Sequence, residues 1–148
     1  MHEAIEGDLS GKSLNFFLGL IINPKMEKLD GSAYRSSLKL EAAAKAYDAA
    51  YAAKGATLDA GRRARLNAAL LGIDQALLIP EGLPGRGWYK HALYAPGRFT
   101  GYGAKTLPGV REAVEERRFA DANRYAGLTA AAVERLAVKL DTARGIIG

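Results

Sequence analysis

Apolar residues recur at helical spacing over several stretches of the chain. Between Ser32 and about Lys54, Tyr34, Leu38, Ala42, Ala46, Ala49 and Ala53 fall at intervals of three and four, the signature of one helix face. Ser32 suits the N-cap and Gly55 the C-terminal stop. Tyr47 and Tyr51 make an i,i+4 pair beside the stripe. Alanine favours the helix by propensity, and its small side chain lets a neighbour approach closely while adding little apolar area. A second helix is predicted from Thr57 or Asp59 to about Leu78. Its stripe is Leu66, Leu70, Ile73 and Leu77, widened by Ala69, Leu71, Ala76 and Leu78, and Pro80 closes it. A short third helix carries Pro108 in its first turn and buries Val110 and Val114. The last runs from about Asp121 to Ala143 on Tyr125, Leu128, Ala132, Leu136 and Leu140, with Gly145 as its stop. Gly127 inside it costs about 1 kcal/mol relative to alanine and reads as the mark of a close helix contact.

Two stretches lack this period. Residues 1–31 hold the apolar run Leu14 to Ile22, broken by Asn15 and Gly19, which is too short to span a membrane. Glu3, Glu6 and Asp8 precede it, where a signal peptide would be positive. Strand and helix both remain open for this run. Residues 81–107 are rich in glycine and proline and hold Trp88, Tyr89, Tyr94, Phe99 and Tyr102. A loop of this length is often functional; the aromatics also admit the plain reading of a cap over one end of the helices. Together these elements predict an all-α fold, most simply an antiparallel four-helix bundle with a long aromatic loop between the second and third helices. The division is an N-terminal segment, 1–31, of open structure and a helical domain, 32–148.

Composition narrows the chemistry. The 148 residues are 49% hydrophobic and 25% charged, enough for a buried core, and contain no cysteine. That excludes disulfides, cysteine-ligated zinc, iron–sulfur clusters and thiol catalysis. His2 and His91 are the only histidines, which argues against a histidine-rich metal site. The net charge is +5, but the basic residues are interspersed with acidic ones. Arg62, Arg63 and Arg65 read as a solvated helix face rather than a nucleic-acid patch. No HExxH pair, P-loop or nucleophile elbow is present. Glu112 and Glu116 share a helix face and read as an ordinary solvated pair. His91, beside Lys90 and near Tyr94, reads as a hydrogen-bonded structural residue. No catalytic set and no metal site is expected within the chain.

From Leu77 to Gly109 the sequence is LLIPEGLPGRGWYKHALYAPGRFTGYGAKTLPG. The Pro80-x-Gly82-Leu83-Pro84 helix end, Tyr89-x-His91, Leu93-Tyr94-Ala95-Pro96, Tyr102 and Leu107-Pro108-Gly109 resemble the C-terminal dimerisation domain shared by glutamate carboxypeptidases and transferrin receptors. With the alanine-rich last helix, the resemblance covers about residues 32–144. It implies a helical bundle that packs on its own copy. It also implies a parent with a two-zinc peptidase domain, whose metal ligands lie outside this region, so that no cofactor is expected here.

In that family the loop closes over the substrate of the adjoining peptidase domain, where a Lys-Tyr pair contacts a terminal glutamate. Tyr102 stands at the tyrosine, Gly101 at the lysine, and Arg98 nearby. The resulting expectation is a homodimerisation module of a glutamate carboxypeptidase-like zinc peptidase, not catalytic by itself. Its partners would be a second copy and, as a further candidate, a peptidase domain on another chain. Neither nucleic acid nor a membrane span is expected. The alternative is a non-catalytic helical protein that takes a small ligand or peptide on the aromatic loop.

Overall fold

The computed structural model describes residues 32–148; the readings made above for residues 1–31 lie outside the described residues. Among those described are four α-helices: α1 (Ser32–Lys54), α2 (Ala60–Leu71), α3 (Pro108–Glu115) and α4 (Phe119–Ile147). The chain is mostly helical, with one small antiparallel sheet of β1 (Tyr94–Pro96) and β2 (Ala104–Thr106) inside the long loop. That sheet corrects the purely helical expectation.

Local chemistry sets the boundaries. The Asp59 carboxylate accepts the Arg62 amide at 2.9 Å and caps α2. That helix ends at Leu71, not Leu78, because the chain breaks at Gly72. A 3₁₀ turn, Asp74–Leu77, then carries the hydrophobic stripe onward, keeping Ala76 and Leu77 buried. The spacing survives the break because positions three apart also align in a 3₁₀ turn. At the other end of the chain, α4 runs past Gly145 to Ile147, where the fully buried Ala143 and Ile147 pack with Leu58 and Leu66. This burial holds the last turn despite its glycine. Gly127 has no atom within 4 Å of where a Cβ would sit, so it marks no helix contact within the described chain.

The buried face of α1 also differs from the expectation. Tyr34, Leu38, Ala42, Ala49 and Ala53 are exposed. Ser36 and Ala43 are buried instead, with Leu40, Tyr47 and Ala50 half-buried. In so alanine-rich a helix two faces read as apolar, and the one with the smallest side chains turned inward permits the close approach to α4.

Among the described residues, all the substantial helix–helix contacts involve α4. Lys39 reaches Glu134 at 2.7 Å near the start of α1, and Lys54 donates to the Gly148 carbonyl at its end. These ties show that α1 and α4 run in the same direction, unlike neighbours in a simple up-and-down bundle. The core has two parts. One joins Leu58 and Leu66 to Ala143 and Ile147. The other joins the long loop to α3 and α4 through Ile79, Leu83, Leu107, Val110 and Tyr125.

Candidate functional site

The segment between the 3₁₀ turn and α3 is a built structure. The Ile79 amide donates to the Lys90 carbonyl at 2.7 Å, and the Ala92 amide to the Leu77 carbonyl at 2.8 Å. Between them the chain turns at Gly82, with φ +72°. A Cβ there would fall 2.1 Å from the Gly87 carbonyl oxygen, so only glycine fits. In the hairpin that follows, Tyr94 pairs with Thr106 and Pro96 with Ala104. The Gly97 amide donates to the Gly103 carbonyl at 2.9 Å and closes the tip. Ile79, Leu83, Ala92, Ala95 and Leu107 are all buried. The loop thus supplies core side chains as well as surface.

A buried ion pair joins the loop to α3. Arg86 Nη2 donates to both Glu112 oxygens, at 2.6 and 2.7 Å. Both side chains are more than nine-tenths buried. Arg86 Nη1 donates to the Pro96 carbonyl, and the Arg98 amide donates to Glu112 Oε1 at 2.9 Å. One carboxylate therefore fixes the first turn, the end of β1 and the start of the hairpin tip. The solvated pair expected of Glu112 and Glu116 is corrected: Glu112 is buried on Arg86, and Glu116 is half-buried against Arg98 and Arg118. A charge-assisted contact of this kind is shorter and stronger than a hydrogen bond between neutral groups.

A second fastening comes from α4. The Tyr125 hydroxyl donates to the Gly82 carbonyl at 2.8 Å. Burial pushes the Tyr125 phenol above its ordinary range, with the Glu81 charge adding to it. The ring lies where Gly109 leaves room; a Cβ at Gly109 would meet it at 2.3 Å. His91 Nδ1 accepts the amides of Leu93 and Tyr94 at 3.2 and 3.4 Å, and its ring lies 3.9 Å from that of Tyr94. Partial burial lowers the His91 pKa, opposed by the Asp74 charge. An accepting, neutral imidazole is what this turn requires.

The aromatic residues face outward. Tyr102 is fully exposed, Phe99 78% and Trp88 75%, and Tyr94 is 60% exposed, so they do not cap the helices. The hairpin brings Arg98, Phe99, Gly101 and Tyr102 together at its tip, with the Arg98 guanidinium 5.5 Å from the Phe99 ring centre. Trp88 and Tyr89 sit on the other turn, with ring centres 6.2 Å apart, and Arg86 lies over Tyr89. Gly101 adopts φ +61° and has open space around it. The sequence reading named Gly82 and Gly109 only within the resemblance motifs, and missed Arg86 as a fastener. Pro108 marked the helix start at Gly109, but nothing in the sequence pairs Arg86 with Glu112.

Residues 30–141 match the transferrin receptor-like dimerisation domain. The chain belongs to that family. The dimerisation domain is 40% identical over 53 residues to a probable glutamate carboxypeptidase of Arabidopsis thaliana, covering 36% of this chain and 8% of the relative. It is 43% identical over 53 residues to one of Zea mays, covering 36% and 7%. A third, of Arthroderma benhamiae, is 34% identical over 85 residues, covering 57% and 11%. The dimerisation domain therefore spans only a small part of the length of the relatives it matches. Family membership implies self-association. Among the described residues, no three His, Asp or Glu side chains stand together where a metal could be held. No helix among the described residues is long and apolar enough to cross a membrane.

Proposed function

We propose that this chain is the homodimerisation module of a glutamate carboxypeptidase-like zinc peptidase, with no catalytic group of its own. The observation that carries this reading is the family match over residues 30–141, together with relatives named as glutamate carboxypeptidases. In this reading the hairpin tip closes over the substrate of the adjoining peptidase domain. Two features support that role. The tip projects Tyr102 and Phe99 into solvent, free to meet another surface. Its base is fixed by the Glu112 carboxylate rather than left to fluctuate. Tyr102 then contacts substrate, with Arg98 as the adjacent cation. Gly101 supplies no side chain where the carboxypeptidases carry lysine, so the preference for a terminal glutamate is weakened.

Light scattering across a dilution series tests the module. A mass twice the 15.8 kDa of the chain, persisting on dilution, is expected. A monomer at every concentration removes the reading. The loop is tested by Tyr102→Ala in the protein that carries the peptidase domain. KM for peptide substrates should rise while the dimer is unchanged, and unaltered kinetics would remove the substrate-closing role.

A further inference from the structure

We propose that the cavity between α1 and α2 is a binding site for a small aromatic carboxylate, which lays its ring against Tyr47 and Tyr51 and its carboxylate on Arg63. The proposal does not depend on the homodimer reading and uses no residue of the long loop. The cavity measures about 290 Å³. That suits a one-ring molecule, since pockets for drug-sized ligands run from about 300 to 1,000 Å³. Leu58, Leu66 and Leu70 give it an apolar lining that belongs to the core shared with Ala143 and Ile147. Two features singled out in the sequence meet here, the i,i+4 tyrosine pair and the middle arginine of the basic run.

The tyrosines explain why the guest is aromatic. Their rings stand nearly parallel, with centres 6.1 Å and planes 16° apart. Tyr47 is half-buried and packs on the Leu58 and Leu66 core. Gly55 makes room for Tyr51, since a Cβ there would lie 2.9 Å from the ring atoms Cδ2 and Cε2. Tyr51 still keeps 51% of its surface exposed, so ring surface is left for a ligand. A guest ring gains from stacked or edge contacts with such rings beyond its burial alone. Because both rings are already seated, little ordering opposes binding. Burial pushes the Tyr47 phenol above its ordinary range, with Tyr51 and the Asp48 charge adding to it. It therefore stays a neutral donor at pH 7.

Charge explains why the guest is an anion. Arg63 is the charged residue of the lining. Its Nη2 donates to the Leu58 carbonyl at 3.3 Å. That contact turns the guanidinium towards the cavity and leaves its other N–H groups for a ligand. Asp59, one turn earlier, pairs with Arg62 instead, at 3.7 Å. Among the described residues no carboxylate pairs with Arg63. Asp48 lies near Tyr47 but does not line the cavity. A planar guanidinium takes a carboxylate through two parallel N–H groups, a geometry a lysine lacks. Asn67 follows Arg63 by one turn of α2 and adds a carboxamide donor on the same side. Two rings, one uncompensated cation and a neutral amide around a small apolar cavity select a flat, singly negative guest and disfavour a cation.

Phenylacetate is the probe, titrated into the isotope-labelled full chain and followed by backbone amide NMR shifts. Saturable shifts are expected at Tyr51, Gly55, Arg63 and Asn67, with a Kd of about 1 mM or below. Phenylacetamide keeps the ring without the charge, and acetate keeps the charge without the ring. Each should bind at least about tenfold more weakly than phenylacetate. Arg63→Met keeps the apolar stem of the side chain and should lose the same factor while retaining the helical circular dichroism. Should that variant fail to fold, the comparison of probes on the wild type decides. The proposal is overturned by phenylacetate that gives no saturable shift, or by phenylacetamide or acetate that binds as tightly. Shifts confined to Trp88, Phe99 and Tyr102 overturn it as well, in favour of a ligand on the aromatic loop.

Discussion

Replacing Glu112 by glutamine keeps the size of the side chain and removes its charge. The Arg86 guanidinium then remains more than nine-tenths buried with no counter-charge. Breaking a buried pair from one side costs about 3–5 kcal/mol. That is a large share of the roughly 5–15 kcal/mol by which a domain is stable. With a urea m-value of about 2 kcal/mol/M, the midpoint should fall by about 2 M. Urea unfolding followed by circular dichroism, at fixed protein concentration, measures it. The double variant Arg86→Met/Glu112→Leu removes both charges together. Its loss should be below the sum of the two single losses, because what remains is chiefly the Arg98 amide and the Pro96 carbonyl without their partners, about 1–3 kcal/mol each. Limited proteolysis should cut the hairpin tip faster in Glu112→Gln than in the wild type. A Glu112→Gln loss below about 1 kcal/mol, or a double variant as unstable as the sum of the singles, would refute the view that this pair fastens the loop.

The remaining predictions concern the same segment. His91 has its pKa lowered in the folded chain, so the unfolded chain takes up its proton first as pH falls. Its contribution is therefore complete above about 6.5 and declines as pH drops towards the folded pKa. Urea midpoints of wild type and His91→Gln should show a steeper acid-side decline for the wild type, and parallel curves would reject it. Tyr125→Phe leaves the Gly82 carbonyl without its donor and should cost about 1–3 kcal/mol, measured by urea or thermal unfolding. Gly109→Ala drives a methyl into the Tyr125 ring and should cost about 1–3 kcal/mol; an unchanged thermal midpoint would show that the ring can move away. Gly101→Lys meets no neighbour but must hold a left-handed backbone, so the domain should fold with a loss of about 1–2 kcal/mol. In the peptidase-bearing protein it should lower KM for substrates ending in glutamate.

Much of the helical pattern was legible because Leu66, Leu77, Val110, Tyr125 and Ala132 are bulky or regularly spaced, and each lands in the core. The face of α1 was not, because alanine marks no side of a helix: Ala42 is exposed and Ala43 buried at adjacent positions. The loop was legible as a list of residues and as a family resemblance, but not as a hairpin. Its strands are three residues long, too short for an alternating pattern to show. Nor could spacing reveal that Glu112 faces inward, because the partner that makes its burial tolerable, Arg86, lies on a different element. Tyr102, Gly101 and Arg98 could be named from sequence, whereas their placement at a fixed, outward tip required the fasteners.

The pairing of α1 with α4 joins residues about 95 positions apart, as Lys39 and Glu134 show, and among the described side chains of α1 it turns only Ser36 and Ala43 fully inward. Loop-closure entropy must be met before that contact rewards the chain, and small side chains return little apolar area for it. α1 should therefore be the last helix to dock during folding and the first to detach afterwards. Native-state hydrogen exchange should divide the molecule accordingly. The amides of α1 should exchange through a partial opening well below the global unfolding free energy, while those around Tyr125 and Ala132 wait for complete unfolding.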